Sequence, residues 1–131
     1  MPRRSPGRLR AATPPTRATT ARGLPDRTAH ALDRLDDPHL GSAEVALALR
    51  EWAEVVGQPE RVLSAPHNDW AELIGPDARA VLEDAVQALD RRAARPLRAE
   101  LARLDADFER KTSHNPLTDP SRPWWARRWW H

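Results

Sequence analysis

Cysteine and tyrosine are absent from this sequence, and lysine, phenylalanine and methionine occur once each in 131 residues. Without cysteine there can be no disulfide framework, no thiolate metal site and no cysteine nucleophile, which fits a reducing interior. No apolar run reaches the length of a signal peptide or a membrane span, so a cytoplasmic protein is expected and a membrane partner is not. The first 27 residues are arginine-rich and acid-poor, as transit peptides are. Their prolines, at Pro2, Pro6, Pro14, Pro15 and Pro25, break the amphipathic helix a transit peptide needs.

The scarcity of lysine and tyrosine also explains a misleading number. The sequence pI is about 10.3 although the formal charge at pH 7 is only +2. Little but the α-amino group titrates between about pH 7 and 10 in such a chain, so a small arginine excess carries the pI far upward. The pI is therefore no argument for nucleic-acid binding.

Catalytic signatures are missing as well. There is no P-loop, no glycine-rich nucleotide loop and no serine nucleophile elbow. The histidines His30, His39, His67, His114 and His131 form no pair at helical ligand spacing, so neither a metal nor a cofactor is expected. His67-Asn68-Asp69 beside Glu72 is the one polar cluster with acid-base character. The same residues read more simply as a helix entry, with Asp69 and Glu72 as a capping box. An enzyme is not expected, and no catalytic residue is assigned.

What is present is a segregated charge. Residues 1–27 carry seven arginines and one acid, residues 28–90 four arginines and thirteen acids, and residues 91–131 ten bases and five acids. A basic arm, an acidic middle and a basic C-terminal part can attract one another within a chain or across a dimer. Arg91, Arg92, Arg95 and Arg98 could bind phosphate, although a mixed-charge helix surface accounts for them as well.

The pattern of apolar residues gives an all-α fold of about four to five helices in a small irregular domain over residues 26–111. It is preceded by an arm (1–25) too rich in proline and arginine to repay ordering, expected to be disordered, and followed by an extended tail (112–131). A short helix capped by Asp26 carries Ala31, Leu32 and Leu35 and ends before Pro38. A second, over 43–56 with Ser42 as cap, carries Val45, Leu49, Trp52, Ala53 and Val56 and stops at Gly57-Gln58-Pro59. A turn from Pro59 to Ser64 and a short helix over 70–74 follow, and Gly75-Pro76-Asp77 is expected to end one element and start the next.

The longest stripe is Leu82, Val86, Leu89, Ala93, Leu97, Leu101, Leu104 and Phe108, one long helix with a kink or break near Arg92–Arg95 imposed by Pro96. The hexapeptides Trp52–Gly57 and Trp70–Gly75 resemble each other at an offset of 18. Both are read as helix ends.

The two ends are the candidate contact elements. Four of the six tryptophans fall in the last eight residues, and Trp124, Trp125, Arg127, Arg128, Trp129 and Trp130 form a Trp/Arg surface of the kind enriched at binding hot spots. The leading reading is a helical protein-interaction, adaptor or regulatory protein with a protein partner or a homodimer mate. The same tryptophans could instead fold back and staple the small core. A nucleic-acid-associated protein is the alternative, with Arg3, Arg4, Arg8, Arg10, Arg17 and Arg22 on phosphates and the tail tryptophans on unpaired bases.

Overall fold

A computed structural model describes residues 24–63 and 69–128. Among these residues every regular element is helical: α1 (Asp26–Arg34), α2 (Ser42–Val56), α3 (Glu60–Leu63), α4 (Asp69–Ala88) and α5 (Arg91–Lys111), then an irregular segment that closes on a 3₁₀ turn (Trp124–Arg127). None of the helices is long and apolar enough to cross a membrane.

The chain enters the fold at Leu24, whose side chain is buried in the core, and Pro25 occupies the N-cap of α1. Asp26 is the first helical residue rather than the cap, where its charge suits the helix dipole. At the other end Asp36 adopts a left-handed conformation (φ 56°) that turns the chain out of α1. Ser42 is likewise not a cap. Its backbone N–H and hydroxyl both donate to the Asp33 carboxylate, at 2.8 and 3.0 Å, tying the end of α1 to the start of α2. The Ser42 N–H is the largest influence holding the Asp33 carboxyl below its ordinary value of 3.8, and the Ser42 hydroxyl adds to it.

Helix α2 buries Val45, Leu49, Trp52 and Val56, the i, i+4, i+7, i+11 face its sequence dictates, and packs chiefly against α4. All eight residues of the long stripe are buried. They lie on two helices rather than one. The interruption falls at Leu89–Asp90, before Arg92–Arg95, because Asp90 takes an extended backbone and its carboxylate accepts the Ala93 N–H at 2.9 Å, a side-chain N-cap for α5. Pro96 then sits inside α5 on its exposed side.

The expected boundary at Gly75–Pro76–Asp77 is absent. Helix α4 runs through it with Pro76 inside, so residues 70–74 belong to the same helix and only the first hexapeptide ends one. The clash of a proline ring with the residue before it is least when that residue has no Cβ, and here it is the buried Gly75. Packing of Ala78, Leu82, Ala85 and Val86 into the core then holds the continuation. Residues 67 and 68 and the surroundings of the Asp69 and Glu72 side chains lie outside what is described, and with them the His67 cluster.

Candidate functional site

The irregular segment after α5 begins with polar residues that would be costly to bury unpaired, and each is paired. The buried Thr112 donates its hydroxyl to Phe108 O at 2.8 Å. The buried Asn115 donates its backbone N–H to Arg127 O at 2.7 Å and accepts Leu117 N–H on its side-chain oxygen at 2.9 Å. A compact loop results, and it returns the chain to the face formed by α4 and α5.

That return places Trp124 and Trp125 on the core. Trp125 is buried and Trp124 half-buried against it. The aromatic rings form a continuous series. Trp52 meets Phe108 at 4.8 Å between centroids, Phe108 meets Trp124 at 6.1 Å, and Trp124 meets Trp125 edge-on at 5.9 Å, distances at which tilted pairs attract. The Trp125 indole N–H donates to Pro76 O at 3.3 Å, so the tail rests on α4 beside its internal proline.

Arg79 joins this aromatic series to the polar interior. Its guanidinium carbon lies 4.6 Å from the Trp125 ring centroid, within cation–π range. Its Nε and Nη2 donate to the Asp105 carboxylate at 3.0 and 2.8 Å, and Nη1 reaches Glu83 at 3.1 Å. Asp105 Oδ1 also accepts the Trp52 indole N–H at 3.1 Å. Arg79 is only 5% exposed, so this two-pronged pair is what makes a buried cation tolerable. Glu83 is held below its usual carboxyl value, first by the Gln87 amide donating to it and then by Arg79.

Arg128 closes the loop. Its guanidinium donates to Thr112 Oγ1 at 2.9 Å, Glu109 O at 3.0 Å and Thr112 O at 2.9 Å. Glu109 O belongs to the last turn of α5, whose partial negative charge favours a cation, and Thr112 is the extended C-cap that follows it. Arg127 contributes its backbone carbonyl to Asn115. Among the described residues its Nε is the buried side-chain nitrogen without a hydrogen-bond partner.

Of the six residues proposed from sequence, the structure therefore brings Trp124, Trp125, Arg127 and Arg128 together on the chain's own core. Trp129 and Trp130 lie outside the described residues, as do Arg3, Arg4, Arg8, Arg10, Arg17 and Arg22. The 3₁₀ turn that carries Trp124 and Trp125 ends at Arg127. Arg98 lends Nη2 to Val86 O at 3.4 Å, while Arg91, Arg92 and Arg95 point to solvent. Arg79, Asp105 and Thr112 are missing from the sequence reading, and no local pattern marks them. Arg79 and Asp105 are 26 residues apart and look like ordinary helix-surface charges.

Among the described residues no three of His, Asp and Glu come together in a group that could hold a metal ion. Compared with known protein families, with curated proteins and with solved structures, the chain matches none.

Proposed function

We propose that the chain is a small helical protein-interaction or regulatory protein whose contact element is its C-terminal Trp/Arg end. In this reading the end has two parts. Trp124, Trp125 and Arg128 form an anchor, and Trp129 and Trp130 are the side chains offered to a protein partner or to a second copy. The observation that supports it is the threefold hold of Arg128 on Glu109 and on Thr112, the C-cap of α5, one residue before Trp129. An apolar pair issuing from a fixed point loses less entropy on binding than one on a free tail. Two tryptophans and a neighbouring arginine also match the composition of hot spots.

The test compares the full chain with Trp129→Ala/Trp130→Ala by sedimentation and by affinity capture, with thermal melts of both. The expected result is an unchanged melting temperature together with loss of self-association or of a captured protein. A monomeric full chain that captures nothing beyond what the double variant captures overturns the reading. Retention on a single-stranded oligonucleotide that needs both tryptophans and weakens with salt would replace it with the nucleic-acid alternative.

A further inference from the structure

The loop after α1, the first half of α2 and the middle of α4 enclose an open groove of about 200 Å³. Its floor is apolar: Ala48 and Ala78 are buried, Val81 is half-buried, and Leu47 is a large aliphatic left 42% exposed. Its rim is acidic. Glu44 and Glu51 stand on α2 and Asp77 on α4, and among the described residues none of the three takes part in an ion pair. The depression continues along α2 past Arg50 to Glu54, so the carboxylates line a track longer than the pocket itself.

A surface with an aliphatic floor and unneutralised carboxylates fits an aliphatic side chain flanked by cations. This chain carries such a segment. Residues 1–23 hold six arginines and no acid, and Leu9 stands between Arg8 and Arg10. The arm leaves the fold at Leu24, which is seated in the core at the start of α1, and α1 leads directly to the loop that carries His39 at the groove's edge. Helix α1 has nine residues, so this path is about 13 Å long. The fifteen-residue step from Leu24 back to Leu9 spans about 20 Å as a coil and up to roughly 50 Å fully extended. Attachment also supplies an effective concentration in the millimolar range, enough for a short motif that would not bind as a free peptide.

We propose that this groove docks the chain's own N-terminal arm, with Leu9 over Leu47 and Val81 and with Arg8 and Arg10 at the Glu44, Glu51 and Asp77 carboxylates. Only a short motif needs to be held. Neither Trp129 nor Trp130 is involved.

Because the chain has no cysteine, Ser5→Cys gives a single attachment point for a nitroxide on the full-length protein. The expected result at low ionic strength is paramagnetic broadening of the Leu47, Ala48, Glu51 and Val81 amides. It should disappear on reduction of the nitroxide and fade near 1 M salt, where the Debye length is about 3 Å. In Arg8→Gln/Arg10→Gln, and separately in Glu44→Gln/Glu51→Gln/Asp77→Asn, the docked-to-undocked ratio should fall roughly five-fold or more, the weight of two exposed ion pairs. Amide shifts of the core residues check that each variant is folded. Broadening that avoids the groove, or that survives both sets of substitutions, overturns the proposal. Broadening seen only when nitroxide-bearing and isotope-labelled chains are mixed also overturns it, and assigns the groove to the arm of a second copy.

Discussion

Replacing Trp125 with alanine removes the side chain on which the C-terminal loop rests. A buried tryptophan takes about 150–250 Å² out of water, which at ~25 cal/mol per Å² corresponds to roughly 4–6 kcal/mol. That is an upper figure, since a compact denatured chain already covers part of the surface. The variant also loses the indole hydrogen bond to Pro76 O and the ring beneath the Arg79 guanidinium. Truncation of large aromatics in cores costs about 3–5 kcal/mol in practice, and this is the expected loss here. A single small core supplies only ~3–5 kcal/mol in total, so the variant should be substantially unfolded at 25 °C. Urea titration followed by far-UV circular dichroism reads the loss directly. Trp125→Phe keeps most of the area but not the N–H donor and should cost about 1–2 kcal/mol, each 1 kcal/mol lowering the melting temperature by about 4–8 °C. Truncation after Ser121 should behave like the alanine variant. If Trp125→Ala and the truncated chain both keep the parent urea midpoint, the tail contributes nothing to the fold and the staple argument is wrong.

Asp105→Ala leaves the buried Arg79 guanidinium without its two-pronged partner and the Trp52 indole without its acceptor, and should cost about 3–5 kcal/mol. Substituting Arg79→Met and Asp105→Leu together should restore much of that in a thermal melt. Asp36→Gly relieves a left-handed conformation that a Cβ disfavours, and should raise stability by about 0.5–1 kcal/mol in urea unfolding. The Asp33 carboxyl is held below its ordinary value in the folded chain, so its contribution is complete above about pH 3.8 and is lost as pH falls below that value. Asp33→Asn should therefore flatten the acid limb of stability against pH, with the loss present at neutrality and the variant converging on the parent as pH falls.

The apolar stripes were legible because they are local. Val45 to Val56 and Leu82 to Phe108 repeat at helical spacing, and every residue of the second stripe is inside. The division at Leu89–Asp90 was hidden by that same regularity, since α4 and α5 contribute to one core in almost continuous register. Asp90, three residues before Ala93, was the available sign of a cap, and the proline at 96 drew attention away from it. Gly75-Pro76 pointed in the opposite direction, because a local breaker signal gave way to the packing of Ala78, Leu82, Ala85 and Val86 after it. The Arg79–Asp105–Trp52 cluster and the seat of Trp125 on Pro76 join residues 26 to 53 positions apart. Sequence spacing carries no trace of such contacts. Enrichment of Trp and Arg marked the tail as something that must be covered, while the choice between its own core and a partner depended on a twelve-residue loop whose buried Thr112 and Asn115 look like ordinary polar linker residues.

The chain's single lysine closes the last turn of α2 from a distance. Lys111, at the end of α5, donates its ammonium to Val56 O at 2.6 Å and Gln58 O at 3.1 Å and lies near Asp107 at 3.6 Å. An acylating reagent needs that nitrogen deprotonated and released from those carbonyls, which requires the contact between the ends of α2 and α5 to open. The acylation rate of this one side chain thus becomes a clock for local opening of the fold, with no competing side-chain amine to blur it. Once acylated, the nitrogen has lost the charge that held those carbonyls, so each opening caught by the reagent is retained as a chemical record.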